Sequence, residues 1–123
     1  RDINSMRKLM KNYKDVYDIK IFSNAPDEWC NNISWILFGI MIPTTYNYTG
    51  NILKPNSQCY ELIEKNINQE EYIFVDDKIN NLINTPQNGK WHNIWMNPDT
   101  PVMKINSNTT LIRNLEDLLN IIQ

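Results

Sequence analysis

The stretch Tyr72-Ile73-Phe74-Val75-Asp76-Asp77-Lys78-Ile79-Asn80-Asn81-Leu82 decides how the chain folds. A short apolar and aromatic run stops at two adjacent carboxylates, and a polar, helix-compatible segment follows at once. A buried parallel strand that delivers charge to the C-terminal edge of its sheet has this pattern, and open α/β sheets bind ligands at that edge. Adjacent carboxylates repel each other unless a cation or a shared proton compensates. A hard divalent ion such as Mg²⁺, which takes oxygen ligands from one or two carboxylates, is a natural compensation. A solvated acidic turn, with Asp77 near a helix N-terminus, is the other reading, and on this stretch alone the two stand level.

Working outward, the segment after the carboxylates predicts a short helix to about Ile83, broken by Thr85-Pro86 and Asn88-Gly89. His92 to Met96 reads as a strand, Pro98 to Pro101 as a turn, and Leu111 to Ile122 as a closing amphipathic helix with Leu115, Leu118, Leu119 and Ile122 inward. Upstream, Asn56 is placed to cap a helix from Ser57 to Ile67, its side-chain oxygen accepting an orphan N–H. Ile40 to Ile42 reads as a short strand, followed by a loop from Pro43 to Asn51. Asp27 to Phe38 predicts a helix with Trp29, Ile33, Ile36 and Leu37 on one side, Pro26 in its first turn and Gly39 at its end. Tyr17 to Phe22 reads as a strand that breaks at Ser23-Asn24-Ala25-Pro26. Residues 3–14 place Ile3, Met6, Leu9, Met10 and Tyr13 on one helical face. Helices and strands alternate throughout, so the expected class is α/β with a mainly parallel sheet.

The 123 residues suit one compact domain. A net charge of −2 and a pI near 5.3 give no electrostatic case for nucleic acid or an anionic membrane surface. No apolar run has the length of a membrane span, and no signal-peptide pattern opens the chain. Cys30 and Cys59 read as free thiols, which favours a reducing, intracellular and cytoplasmic setting. Three Asn-x-Ser/Thr sequons, at Asn32, Asn47 and Asn108, carry no weight in so Asn-rich a chain. The chain opens on Arg1 rather than Met, which suggests processing, cleavage or a longer parent.

Three loops after three apolar segments offer Ser23-Asn24, then Lys54, then Asp76-Asp77. In a parallel sheet all three project from one edge. A hydroxyl with backbone amides, one fixed cation and a carboxylate pair suit a phosphoryl group bound with Mg²⁺. The segments Lys20-Ile21-Phe22-Ser23-Asn24-Ala25, Leu53-Lys54-Pro55-Asn56 through Tyr60-Glu61-Leu62, and Phe74-Val75-Asp76-Asp77 through Asn81-Leu82 resemble motifs II, III and IV of the haloacid-dehalogenase-like (HAD) hydrolases, in the same order and at similar separations. The Ser-Asn-Ala, Lys-Pro and Val-Asp-Asp forms are most similar to its soluble phosphatases, notably pyrimidine 5′-nucleotidase-like members and the phosphatase domain of epoxide hydrolases. The resemblance runs to the closing Asn114-Leu115-Glu116-Asp117-Leu118-Leu119 segment.

The resemblance implies a Rossmannoid three-layer core, of which residues 1–123 are the C-terminal part, and an Mg²⁺-dependent phosphatase acting on a small phosphomonoester, with a nucleoside monophosphate the favoured substrate. Ser23, with the Asn24 backbone, would bind the phosphoryl group. Lys54 would hold the nucleophile and the phosphate. Asp77 would ligate the metal with Asp76 in support, and Asn81 stands where many relatives have a second Asp. The family's first motif, Asp-x-Asp, carries the nucleophile and the general acid/base, and no Asp-x-Asp occurs in these 123 residues. Asp15 and Asp18 precede the second-motif strand, at the wrong end for the site. The family's first strand is central, so this chain lacks both that strand and the cap, and the expectation is that an upstream segment or a partner chain completes the sheet.

Rival readings accompany each residue. A catalytically inactive HAD-like structural subunit of a larger assembly follows from the missing nucleophile and from Asn81. A dehalogenase or phosphomutase of the same fold shares motifs II to IV, although the Asp-Asp pair suits metal-assisted phosphoryl chemistry better. Lys54 alone would read as an exposed loop lysine, and Ser23-Asn24 as a plain helix cap. His92 reads as structural, Trp29, Trp35, Trp91 and Trp95 as core or rim residues, and Cys59 as a packed small hydrophobe.

Overall fold

A computed structural model describes residues 3–99, 103–106 and 108–122. The chain forms two compact units, Arg1–Asn51 and Ile52–Gln123.

The first unit is helical. Helix α1 (Ile3–Tyr13) packs on α2 (Asp27–Phe38), and Met10 is buried while Tyr13 is half-buried. The inward positions expected at Ile3, Met6 and Leu9 lie outside the described side chains. Helix α2 begins after Pro26 with Asp27 and Glu28 in its first turn, where carboxylates complement the helix dipole. It stops at Gly39, whose φ of 72° is the left-handed conformation that glycine adopts without strain. The side that carries Trp29, Ile33 and Ile36 is largely exposed, Trp29 and Ile36 at 65% and 59%, and Cys30 and Ser34 form the buried side.

The two strands expected at Tyr17–Phe22 and Ile40–Ile42 are corrected to a single parallel bridge, Ile21 to Thr44. Ile21 N–H donates to Pro43 O, and Thr45 N–H donates to Ile21 O. The next rung back would need a donor at Pro43, which has none. The next rung forward would need Thr45 O, which already accepts from the amides of Tyr48 and Thr49 in the turn of α3 (Tyr46–Thr49). Ser34 holds the Ile40–Ile42 segment in place of a ladder. Its hydroxyl donates to Ile40 O and accepts from Ile42 N–H, each at 2.7 Å.

The second unit carries the sheet. Helix α4 (Ser57–Asn66) opens as expected on Asn56, whose Oδ1 accepts from Gln58 N–H at 2.9 Å. Strand β1 (Tyr72–Asp76), helix α5 (Ile79–Ile83) and strand β2 (Trp91–Met96) follow. The stretch read as one helix from Leu111 to Ile122 is in fact strand β4 (Thr109–Ile112) followed by helix α6 (Leu115–Ile122), preceded by an unexpected strand β3 (Met103–Asn106). Leu111 and Ile112 are both buried, which suits a strand covered on two faces better than the first turn of an amphipathic helix. Asn114 Oδ1 accepts from Asp117 N–H at 3.1 Å and restarts the chain as a helix. Leu118 is buried as expected, whereas the side chains of Leu115, Leu119 and Ile122 lie outside the described set. Of the turn expected at Pro98–Pro101, Thr100 and Pro101 also lie outside the described residues.

The sheet order is β1-β2-β4-β3. Strands β1, β2 and β4 are parallel, and β3 is antiparallel to β4, so the class is mixed α/β with a small, mainly parallel sheet. Tyr60, Phe74 and Trp91 meet edge to face at centroid separations of 5.6–6.1 Å, and Tyr72 stacks on Trp91 at 4.8 Å. Leu82, Ile94 and Ile63 are buried in the same unit. No helix among the described residues is long and apolar enough to cross a membrane.

Candidate functional site

Strand alternation sends consecutive side chains to opposite faces, and this separates the two aspartates at the end of β1. Asp76 shares the inward face with Phe74 and is buried, whereas Asp77 is exposed. Lys54 approaches Asp76 from the segment before α4, its Nζ 2.7 Å from Oδ2, with each side chain only 7% exposed. Asn81, the third residue of α5, donates from Nδ2 to the same oxygen at 3.1 Å. The Lys78 amide donates to Oδ1 at 2.9 Å. Burial on its own would raise the pKa of Asp76. The hydrogen bonds from Lys54, the Lys78 amide and Asn81, together with the Lys54 charge, outweigh it and hold the carboxyl below its usual range. Asp76 is thus a buried anion satisfied by three donors, one of them the Lys54 cation.

The neighbours hold this cluster in place. Tyr60 is buried, and its hydroxyl donates to the Asn81 carbonyl, which ties the start of α5 to α4. Asn93 on β2 donates to Leu82 O and Thr85 Oγ1, which anchors the far end of α5. Cys59 is fully buried beside the cluster; burial raises its thiol to about 11 against the opposing charge of Lys54, so it stays protonated at neutral pH and is a poor nucleophile.

No hydrogen bond or ion pair from the described residues reaches the Asp77 carboxylate, and no group of three or more His, Cys, Asp or Glu side chains able to hold a metal ion occurs among them. Asp77 thus offers a single exposed carboxylate at the end of the strand. Its main chain is fixed from an unexpected direction, because the Trp95 indole N–H on β2 donates to the Asp77 carbonyl at 3.0 Å. A lone strand tryptophan carries no sequence sign of this role. Only the register that sets Trp95 opposite Asp76 reveals it.

Of the residues singled out in sequence, Lys54, Asp76 and Asn81 come together, and Asp77 adjoins them. Ser23 and Asn24 belong to the first unit. There the Ser23 hydroxyl accepts from Ala25 N–H at 3.0 Å in the turn before α2, and Thr44 donates to Asp27 in that helix's first turn. His92 is about half exposed and lies 3.5 Å from Glu71, away from the carboxylates. Compared with family models, with curated proteins and with solved structures, the chain matches none.

Proposed function

We propose that this chain carries the phosphate- and metal-handling part of an Mg²⁺-dependent phosphatase of the HAD type, acting on a small phosphomonoester, with a nucleoside monophosphate the favoured substrate. The observation that supports this most directly is the convergence of Lys54, Asp76 and Asn81 at the C-terminal end of β1, with Asp77 exposed beside them. In this reading Asp76 fixes the Lys54 ammonium at the strand end, where it neutralises charge developing on the phosphoryl oxygens. Asp77 and Asp76 form the metal side of the site, Asp77 as ligand and Asp76 as its support. Bound there, Mg²⁺ supplies Lewis-acid stabilisation of the phosphoryl oxygens. The attacking aspartate comes from an upstream segment or a partner chain, whose strand would pair with the outer edge of β1.

The test is Mg²⁺-dependent hydrolysis of nucleoside monophosphates and an aryl phosphate by the full protein. Asp77→Asn is expected to lower kcat/KM by at least about 100-fold, comparable to losing a transition-state charge partner. Unchanged turnover in that variant overturns the reading. The absence of Asp-x-Asp from these 123 residues favours a second reading, a non-catalytic HAD-like subunit of a larger assembly. A full protein that turns over none of these substrates under saturating Mg²⁺ supports it.

A further inference from the structure

We propose that α2 pairs with α2 of a second copy of this chain, antiparallel across a two-fold axis, through the exposed stripe of Trp29, Ile33 and Ile36. Their spacing, four residues and then three, puts them on one side of the helix over two turns. On the other side Cys30 and Ser34 are buried, and α1 packs on the helix within the same unit. Ile33 is 37% exposed in the middle of the stripe, and Trp35, at 55%, widens the open side. Single exposed apolar residues need no explanation. Two tryptophans and two isoleucines on the open side of one helix form a patch, and Trp is enriched where proteins bind partners.

Charge chooses the occupant. A helix that lies on an anionic membrane surface has a basic polar face, whereas α2 has no Lys or Arg and carries Asp27 and Glu28 in its first turn. A second copy complements both ends. At the C-terminal end, Arg7 is exposed and donates to the Ile36 carbonyl at 3.3 Å, and no carboxylate among the described residues pairs with it. At the N-terminal end, Glu28 is exposed and has no ion pair among the described residues. An antiparallel pair sets the acidic end of each helix beside the Arg7 end of the other, and it brings opposite dipole ends together. The midpoint of the stripe falls between Asn32 and Ile33. Trp29 of each copy therefore lies against Ile36 of the other, and Ile33 meets its own counterpart near the axis.

The test is sedimentation of the full protein over a range of concentrations, for the wild type, Trp29→Ala, Glu28→Lys, and Glu28→Lys combined with Arg7→Glu. The wild type is expected to pass from monomer to dimer at micromolar concentration, since one helix face per copy makes a small interface. Trp29→Ala is expected to weaken the dimer at least about 10-fold, as loss of a buried aromatic contact does. Glu28→Lys is expected to weaken it, and adding Arg7→Glu to restore it, because exchanging the two charges rebuilds a pair between copies. A wild type that stays monomeric up to about 100 μM overturns the proposal, whether α2 is left open or covered by another partner. A dimer that Trp29→Ala leaves unchanged forms through another surface and overturns it too. A dimer weakened by Glu28→Lys and not restored by the second reversal overturns the antiparallel arrangement. Trp29 and Glu28 are exposed, so their single variants should keep the fold. Should the double variant not fold, Ile33→Cys decides. Placed near the axis, it is expected to join two copies through a disulfide under mild oxidation, and failure to do so overturns the arrangement.

Discussion

Lys54 and Asp76 illustrate how a buried ion pair differs from a surface one. Their attraction is offset by the loss of hydration, so the pair as a whole adds little, whereas breaking it leaves one charge uncompensated. Lys54→Met is expected to cost about 3–5 kcal/mol in denaturant unfolding. Asp76→Asn is expected to destabilise as well, and the double variant to lose less than the sum of the two, since neither charge then remains alone. A double variant that loses the full sum would show that the two residues act independently. The pH dependence follows from the depressed folded pKa of Asp76. Such a group contributes stability above its ordinary value of 3.8, and the contribution is lost as pH falls below that toward the folded pKa. Acid unfolding of the wild type should therefore steepen below about pH 4. Asp76→Asn should lack that part of the slope while being less stable at neutral pH; an unchanged acid profile would count against the assignment. In sequence Asp76 and Asp77 read together as a carboxylate pair, and the structure divides them, Asp76 buried and Asp77 exposed. The partnership with Lys54, 22 positions away, became visible only once the chain had folded.

Element boundaries were legible where a side chain terminates the element locally. Asn56 before α4 and Gly39 after α2 act through their own backbone or through amides two to four residues away, so the sequence carries the whole signal. The strand-to-helix change at Arg113-Asn114 was missed because Leu111 and Ile112 extend the apolar pattern of α6 backward, and only pairing with β2 makes them a strand. Likewise, the apolar stripe of α2 places Trp29, Ile33 and Ile36 on one side, but the period says which residues share a side and not what that side meets. At this scale Asn114 is the restart signal, its carboxamide capping the Asp117 amide. Asn114→Ala is expected to cost about 1 kcal/mol in thermal or denaturant unfolding, against a few tenths for Asn114→Gly. Equal losses for Ala and Gly would argue against a capping role.

For the second unit as a whole, the strand order places the site-bearing strand at an edge. Strand β2 has ladder partners on both sides, in β1 and β4, whereas β1 is paired along its full length to β2 on one side. Yet β1 has the composition of an interior strand, with Phe74 buried and Ile73 44% exposed. An apolar edge strand offers its outward amides and carbonyls as a template for another strand. The proposed function calls for a strand at that position, bringing the nucleophile to the end where Lys54 and Asp77 lie. Amide hydrogen exchange tests this directly. In the 123-residue chain, alternate amides of β1 should exchange much faster than those of β2. With the strand that the proposed function calls for in place, those same amides should become as protected as β2. If they are equally protected in the short chain, β1 is already covered there, and no added strand is needed to explain its apolar sequence.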